Sequence, residues 1–147
     1  MVTTERTFDL FADFHQFIVC DRDADWSSVA DRWTEGSVEA MFVQSDDYIA
    51  VGTARNMPVP VTIRILDQEP QRPENECDRV VRGRLNLPSG QVVVTGVTDN
   101  GATGGSLPVK PGPYDVRVLY AGLQTISADG LSGADKYTVV LWPSKRD

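Results

Sequence analysis

Hydrophobic and polar residues alternate along most of the chain, which is the pattern of strands with one buried face. In residues 7–21 the apolar residues stand at every second position as far as Phe14, except at Phe11. Beyond His15 the pattern changes, because residues 17–20 are all apolar. A bulge, or burial on both faces, accounts for such a change. We therefore predict either one long strand or two strands joined at a bend.

After this segment the apolar period becomes that of a helix. Four apolar residues stand at i, i+3, i+4 and i+7, and Asp25 or a neighbour would accept the free amides at the helix start. Gly36 ends this segment, and a second short turn follows with Ser37 as its cap. Together they form one predicted helical insertion near the N-terminus. The apolar positions are Trp26, Val29, Ala30 and Trp33, and then Val38, Met41 and Phe42.

From residue 48 onward the pattern is that of short strands separated by turn residues. Pro88-Ser89-Gly90 is short enough to form a hairpin between its flanking strands. Pro111-Gly112 fits a turn that needs one fixed and one positive φ. The last strand has apolar residues on both faces, which indicates burial on both sides. The predicted strands are 48–53, 59–66, 81–87, 91–97, 114–120 and 136–142, and the main connections are 68–76, 99–105 and 124–135.

Seven or eight short strands with one helical insertion predict a mainly β fold, an antiparallel β-sandwich. A partly open barrel is the alternative, because the sequence does not reveal whether the sheet edges pair. The chain has 147 residues, with 12 Gly and 9 Pro, and contains no repeat or domain-splitting linker. We therefore predict a single domain over residues 1–147.

The chain is acidic, with 21 Asp and Glu against 14 Lys and Arg and a formal net charge of −7. Because this field repels phosphates, we expect no direct binding of nucleic acid. The excess of negative charge favours solubility or long-range attraction to a basic partner.

The N-terminal sequence has no basic stretch followed by an apolar one, and no run of about 18 apolar residues occurs. We therefore expect a cytoplasmic protein with no membrane association. Cys20 and Cys77 are the only cysteines and lie in strand-like segments. They are typical of buried thiols in a reducing compartment, although a single bridge between them remains the alternative.

The candidate catalytic and metal-binding residues form no recognisable site. His15 is the only histidine, and no cysteine stands near it at the spacing of zinc ligands. The aspartates at 21, 23 and 25 lack the central glycine and distal glutamate of a calcium loop. The glycines at 99–105 lack the Lys-Ser/Thr of a phosphate-binding loop. We predict no cofactor, no metal and no catalytic residue.

A combination of short motifs in the N-terminal half provides a different kind of signal. It comprises Phe14-His15-Gln16-Phe17 with Val19, Asp25-Trp26, the strand YIAVGT with Arg55-Asn56, and VPVTIRI. Over residues 12–66 this combination resembles the competence protein J family, bacterial proteins that bind and inhibit a nuclease of DNA uptake. In the C-terminal half, LPVKPGPYDVRVLY resembles the family's proline-glycine turn and tyrosine strand, whereas the glycine-rich insertion and the loop at 124–135 differ in length.

The resemblance implies a non-enzymatic interaction protein, an inhibitor or immunity-type protein that occludes a nuclease or toxin. A nuclease has a basic groove for phosphates, so carboxylates gathered on one surface would occupy that groove and speed encounter. The predicted partner-binding residues are His15 and Gln16 together with Asp21, Asp23, Asp25, Asp46 and Asp47.

Two other functions belong to different classes. A small-molecule or carbohydrate-binding sandwich would use the loops at 99–106 and 124–135 with Tyr120 and Trp142. A small hydrolase built on His15 and nearby aspartates ranks last, because no paired catalytic groups stand at a recognisable spacing.

Overall fold

The computed structural model describes residues 2–71 and 77–145, which form ten strands, two short α-helices and one 3-10 turn. The strands form two five-stranded sheets, so the prediction of a mainly β sandwich is confirmed. The strands are β1 (Val2–Phe11), β2 (Gln16–Asp21), β3 (Phe42–Gln44), β4 (Tyr48–Gly52), β5 (Pro58–Leu66), β6 (Arg79–Leu87), β7 (Gln91–Thr95), β8 (Gly105–Pro108), β9 (Gly112–Ala121) and β10 (Lys136–Pro143). The helices are α1 (Val29–Arg32) and α2 (Glu35–Ala40), and the 3-10 turn covers Asp13–His15.

Sheet A has the strand order β1-β5-β10-β9-β6, and sheet B has the order β3-β4-β2-β7-β8. Phe17 and Val19 of β2 belong to the core between the sheets, whereas Ile18 and Cys20 belong to a second apolar cluster. Since successive strand residues point to opposite faces, that second cluster lies on the outer face of sheet B. The apolar run at 17–20 therefore reflects a strand that is covered on both sides.

The predicted strand at 7–21 is two strands joined at a bend. β1 lies in sheet A and β2 in sheet B, and the 3-10 turn at Asp13–His15 carries the chain from one sheet to the other. Phe14 continues the alternation in the sequence, but it lies in this turn and its side chain is exposed.

The predicted hairpin at Pro88-Ser89-Gly90 is wrong. β6 pairs with β9 in sheet A, whereas β7 pairs with β2 and β8 in sheet B. The turn is held against sheet B because the Ser89 backbone N–H and hydroxyl donate to Asp21 at 3.0 and 2.6 Å. A short loop between alternating strands is thus compatible with a crossing between sheets as well as with a hairpin.

β10 lies at the centre of sheet A and makes the one parallel pairing among the described strands. It pairs antiparallel with β9 and parallel with β5, from Tyr137 opposite Val61 to Leu141 opposite Ile65. Both faces of β10 are buried, as predicted, since Val140 is 2% exposed and Trp142 is 7% exposed. The other described pairings are antiparallel.

The helical insertion is present, but its helices are shorter than the apolar stripe predicts. Trp26 and Trp33 lie just outside α1, although both pack against the outer cluster of sheet B. The N-cap of α2 is Thr34, and not Ser37 as predicted. The Thr34 side chain accepts the Ser37 N–H, and the Ser37 side chain accepts the Thr34 N–H, which together form a capping box. Met41 then ends α2 in the left-handed conformation.

The two sheets approach each other closely at β3 and β6. The Gln44 side-chain oxygen accepts the Arg84 N–H at 2.8 Å, and its amide donates to the Arg84 carbonyl at 2.6 Å. Gly83 permits this contact, since a Cβ there would lie 2.6 Å from the Gln44 oxygen and 2.7 Å from Phe42. The Asn86 N–H also donates to the Asp46 carbonyl at 3.0 Å, just beyond the end of β3.

The predicted connection at 68–76 lies partly outside the described residues, which omit 72–76. Cys20 is a buried free thiol, and Cys77 is partly exposed. No helix in the described part of the chain is long and apolar enough to cross a membrane.

Candidate protein-binding surface

The negative charge of the chain is concentrated near its N-terminus. Residues 9–47 contain ten carboxylates and two arginines, a formal charge of −8, whereas the rest of the chain contains 11 carboxylates and 12 basic residues, a formal charge of +1. The net charge of the molecule thus arises entirely in one segment.

Much of that segment covers the outer face of sheet B. We call residues 22–41 the acidic cap. Its residues Val29, Trp26 and Trp33 pack against the outer cluster that contains Ile18 and Tyr48. Apolar packing therefore fixes the cap on the sheet, and its carboxylates at 23, 25, 31, 35 and 39 are exposed.

Gln16 joins the cap to the sheet instead of contacting solvent. It is 8% exposed, and its side-chain oxygen accepts the Trp33 indole N–H at 2.7 Å. A buried amide oxygen that is already bonded is not available to a partner, so the structure gives Gln16 a positioning role.

Asp21 is also internal. It is 2% exposed, and its carboxylate accepts hydrogen bonds from the Ser89 hydroxyl and from the backbone N–H groups of Ser89 and Asp23. Burial favours the neutral carboxyl, but these hydrogen bonds outweigh it and lower the pKa of Asp21. Asp21 therefore anchors the 88–90 turn and is not available for contact with a partner.

The remaining predicted aspartates are at the surface. Asp23 and Asp46 are exposed, and Asp47 is partly exposed. Asp25 is exposed, and the hydrogen bonds that it accepts from Ser27 lower its pKa. Asp23 pairs with Arg22 at 3.3 Å, a surface contact that contributes little to stability.

The structure brings the aspartates near the end of β2 together. The Asp21 N–H donates to the Asp47 carbonyl at 3.0 Å. Burial and the nearby charges of Asp21 and Asp47 raise the pKa of the Cys20 thiol to about 12. His15 lies at the other end of β2, about 17 Å away at the usual rise per residue. His15 and Gln16 thus lie at the opposite end of β2 from Asp21, Asp23 and Asp47.

His15 belongs to an apolar groove of about 380 Å³ at that other end. The groove is formed between the 3-10 turn, the end of β4 and the cap. Phe14 and Val38 are 69% and 61% exposed. The residues that line the groove are Phe14, His15, Trp33, Val38, Met41, Gly52 and Thr53.

Apart from His15, the sequence patterns missed the residues of this groove. Phe14 fits the apolar face of the first predicted strand, and Val38 fits the apolar face of the second predicted helical turn. The available signal was the loss of alternation beyond His15, which marks the bend where Phe14 turns outward.

Two of the residues expected to line a ligand site in the alternative function, Tyr120 and Trp142, are internal. Tyr120 is 0% exposed, and its hydroxyl donates to the Met41 carbonyl at 2.6 Å. Trp142 is 7% exposed and lies under the Arg117 guanidinium. Neither side chain is therefore available to a ligand, whereas most residues of the loops at 99–106 and 124–135 are exposed or partly exposed.

A different cleft, of about 770 Å³, lies beside the β3–β6 contact. Arg32, Arg82 and Arg84 line it together with Gln44, Asn86 and the predicted partner-binding residue Asp46. Three arginines, one of them from the acidic cap, thus outnumber the single carboxylate in this cleft. Within residues 2–71 and 77–145, no group of three or more His, Cys, Asp or Glu residues stands close enough to hold a metal ion.

Comparison with known proteins identifies a family and a shared fold. The sequence model of the family described as competence protein J (ComJ) matches residues 9–141. The chain is similar to the crystal structure of ComJ from Bacillus subtilis, described as an inhibitor of the DNA-degrading activity of NucA, with a TM-score of 0.70 and 15% identity over 98% of both chains. It is also similar to a structure described as crocagin biosynthetic gene J, with a TM-score of 0.60 and 17% identity over 97% of this chain and 100% of that one. No curated protein matches significantly.

Proposed function

Because this chain belongs to the competence protein J family, we propose that it is a non-enzymatic protein that binds a DNA-degrading nuclease and inhibits it. The similar B. subtilis protein is an inhibitor of such a nuclease, which supports the proposal. The single observation that carries it is the concentration of the net negative charge in residues 9–47.

A nuclease that degrades DNA presents positive charge to the phosphates of its substrate. The acidic cap would be attracted to the same positive charge and would cover it, which prevents DNA from reaching the catalytic groups. Long-range attraction between the two surfaces would raise the rate of association at low salt. Inhibition by occlusion requires no catalytic residue in this chain.

We also propose that the protein acts in the cytoplasm. The buried free thiol of Cys20 supports a reducing compartment. Fractionation of the source cells would place the protein with soluble cytoplasmic markers if this is correct, and with the exported fraction if it is wrong.

The test compares three forms of the protein with the NucA-type nuclease of the same cells in a plasmid-degradation assay. In one variant, Asp31→Asn, Glu35→Gln and Glu39→Gln neutralise the cap. In the matched control, Glu5→Gln, Asp67→Asn and Asp129→Asn remove the same charge outside residues 9–47.

We expect the wild-type protein to stop degradation and the cap variant to associate about tenfold more slowly at low salt, with a smaller change in the control. Added salt should reduce the difference. Full degradation of the plasmid at saturating wild-type protein would contradict the proposed inhibition. Equal association rates of the two triple variants would contradict the proposed role of the cap.

The arginine-lined cleft supports a second candidate function, binding of a small anionic ligand. Guanidinium groups are well suited to phosphate and carboxylate. Inorganic phosphate and citrate should then raise the melting temperature of the wild type and not that of an Arg82→Gln, Arg84→Gln variant. Equal shifts of the melting temperature in both proteins would exclude this cleft as the binding site of these anions.

A further inference from the structure

The two most exposed large hydrophobic residues among those that the structure describes flank the same groove. Phe14 is 69% exposed and Val38 is 61% exposed, and between them lies an apolar surface that includes Trp33 and Met41. Single exposed apolar residues are ordinary, but apolar residues grouped around a concave surface mark sites of interaction.

The backbone around this groove is held in unfavourable conformations. Phe14, His15 and Met41 have φ angles of 57°, 57° and 60°, and within the described part of the chain only Asn100 shares this property among residues other than glycine. Such conformations persist where the surrounding structure fixes them, and they cluster at binding sites. An aromatic residue is particularly unfavourable there.

Hydrogen bonds fix the turn that projects Phe14. The Phe14 N–H donates to the Asp13 carboxylate at 3.1 Å, and the other oxygen of that carboxylate accepts from the Thr98 hydroxyl at 2.7 Å. The Thr53 N–H donates to the His15 carbonyl at 2.8 Å. Phe14 is therefore presented on a pre-ordered support, which lowers the entropic cost of binding.

Carboxylates lie on the two elements that carry Phe14 and Val38. Asp13 precedes Phe14 in the turn, and Glu35 and Glu39 lie on α2, the helix that carries Val38. A partner that complements this arrangement has an apolar side chain flanked by Lys or Arg. A nuclease surface that binds phosphates has the required basic character.

We propose that Phe14 and Val38 are the apolar anchors of the nuclease-binding surface, with Asp13, Glu35 and Glu39 pairing with basic residues around the contact. This inference rests on the proposed function and identifies the residues that supply most of its affinity. A central apolar anchor with a charged rim is the usual anatomy of a protein interface.

The test measures binding of the NucA-type nuclease to the full-length protein by calorimetry. We expect Phe14→Ala and Val38→Ser each to weaken binding about 30-fold, the effect of removing an interface anchor. Leu131→Ala and Val80→Ser are matched controls, since they truncate apolar residues that are 55% and 42% exposed and lie outside the groove. These should change the dissociation constant less than about threefold.

Phe14→Gly separates binding from folding. Glycine adopts positive φ without strain, so this variant should melt no lower than Phe14→Ala and should still bind the nuclease poorly. If Phe14→Ala and Val38→Ser bind the nuclease with wild-type affinity, the inference is overturned, but the proposed inhibitory function is not. Failure of the wild type to bind the nuclease would overturn both. A wild-type dimer that Phe14→Ala dissociates in sedimentation analysis would assign the groove to a second copy and also overturn the inference.

Discussion

The indole N–H of Trp33 donates to the side-chain oxygen of Gln16 at 2.7 Å, and this bond joins the acidic cap to β2, the central strand of sheet B. Trp33→Phe would leave a buried acceptor without its donor, so we expect a loss of about 1–3 kcal/mol in the free energy of unfolding. Urea denaturation measures this. Trp26→Phe, in the same apolar cluster, is the control, and equal losses in the two variants would show that the hydrogen bond contributes nothing specific.

The pH dependence of stability should reveal the internal role of Asp21. Its pKa is lower in the folded protein than the ordinary value of 3.8, so its ionised form stabilises the fold at neutral pH. This contribution is present above pH 3.8 and is lost as the pH falls through the folded-state pKa. Asp21→Asn should therefore destabilise the protein at pH 7 by about 1–3 kcal/mol, with the difference shrinking below pH 3.8.

Denaturation midpoints measured across this pH range provide the test of Asp21. Asp23→Asn is the control, because the Asp23 carboxylate is exposed and should change stability little. A difference between wild type and Asp21→Asn that stays constant through acid pH would contradict the assignment.

A buried ion pair joins the segment before β5 to the segment before β10. The Arg55 Nε donates to the Asp135 carboxylate at 2.6 Å, and the Tyr137 hydroxyl donates to the other oxygen of that carboxylate at 2.6 Å. Asp135→Ala would leave the Arg55 charge buried without its partner, so we expect a loss of about 3–5 kcal/mol.

Tyr137→Phe is the graded comparison for this pair. It removes one hydrogen bond and leaves the ion pair in place, so the loss should be about 1–3 kcal/mol. Thermal and urea denaturation would establish the order of the two variants, and a smaller loss for Asp135→Ala than for Tyr137→Phe would contradict it.

Two glycines should respond to alanine in opposite directions. Gly83→Ala would place a methyl group 2.6 Å from the Gln44 oxygen at the β3–β6 contact, and we expect a loss of about 1–3 kcal/mol. Gly36→Ala lies in α2, where the added Cβ meets only the Thr34 hydroxyl at 3.8 Å. It should stabilise the protein by about 0.5–1 kcal/mol through helix propensity. Melting temperatures that move in the same direction for both variants would contradict this.

The positions of most strands could be predicted from the sequence because alternation is a local property. The predicted strand at 136–142 and the observed β10 (Lys136–Pro143) differ by one residue, for example. The pairing of strands could not be predicted, since it depends on contacts between distant segments. Two contacts between distant segments illustrate this. Ser89 in the turn at 88–90 donates to Asp21 of sheet B, and β10 pairs with β5, which lies more than seventy residues earlier in the chain.

The candidate surface could be predicted only in part. The acidic segment is visible in the sequence, but the burial of Gln16 and Asp21 is not. Their hydrogen-bond partners, Trp33 and Ser89, lie far from them along the chain, so no local pattern reveals these contacts. Phe14 shows the converse, since an apolar residue in a strand-like pattern is exposed where the chain crosses between sheets. Side-chain exposure at a bend depends on backbone conformation that alternation does not encode.

Hydrogen–deuterium exchange of the protein alone and with the nuclease locates the contact surface without any substitution. We expect slower exchange in the complex over the 3-10 turn at Asp13–His15 and the acidic cap, with unchanged exchange in β6 and β9 of sheet A. Protection confined to sheet A, or none at a nuclease concentration that saturates binding, would contradict the claim that this surface covers the nuclease.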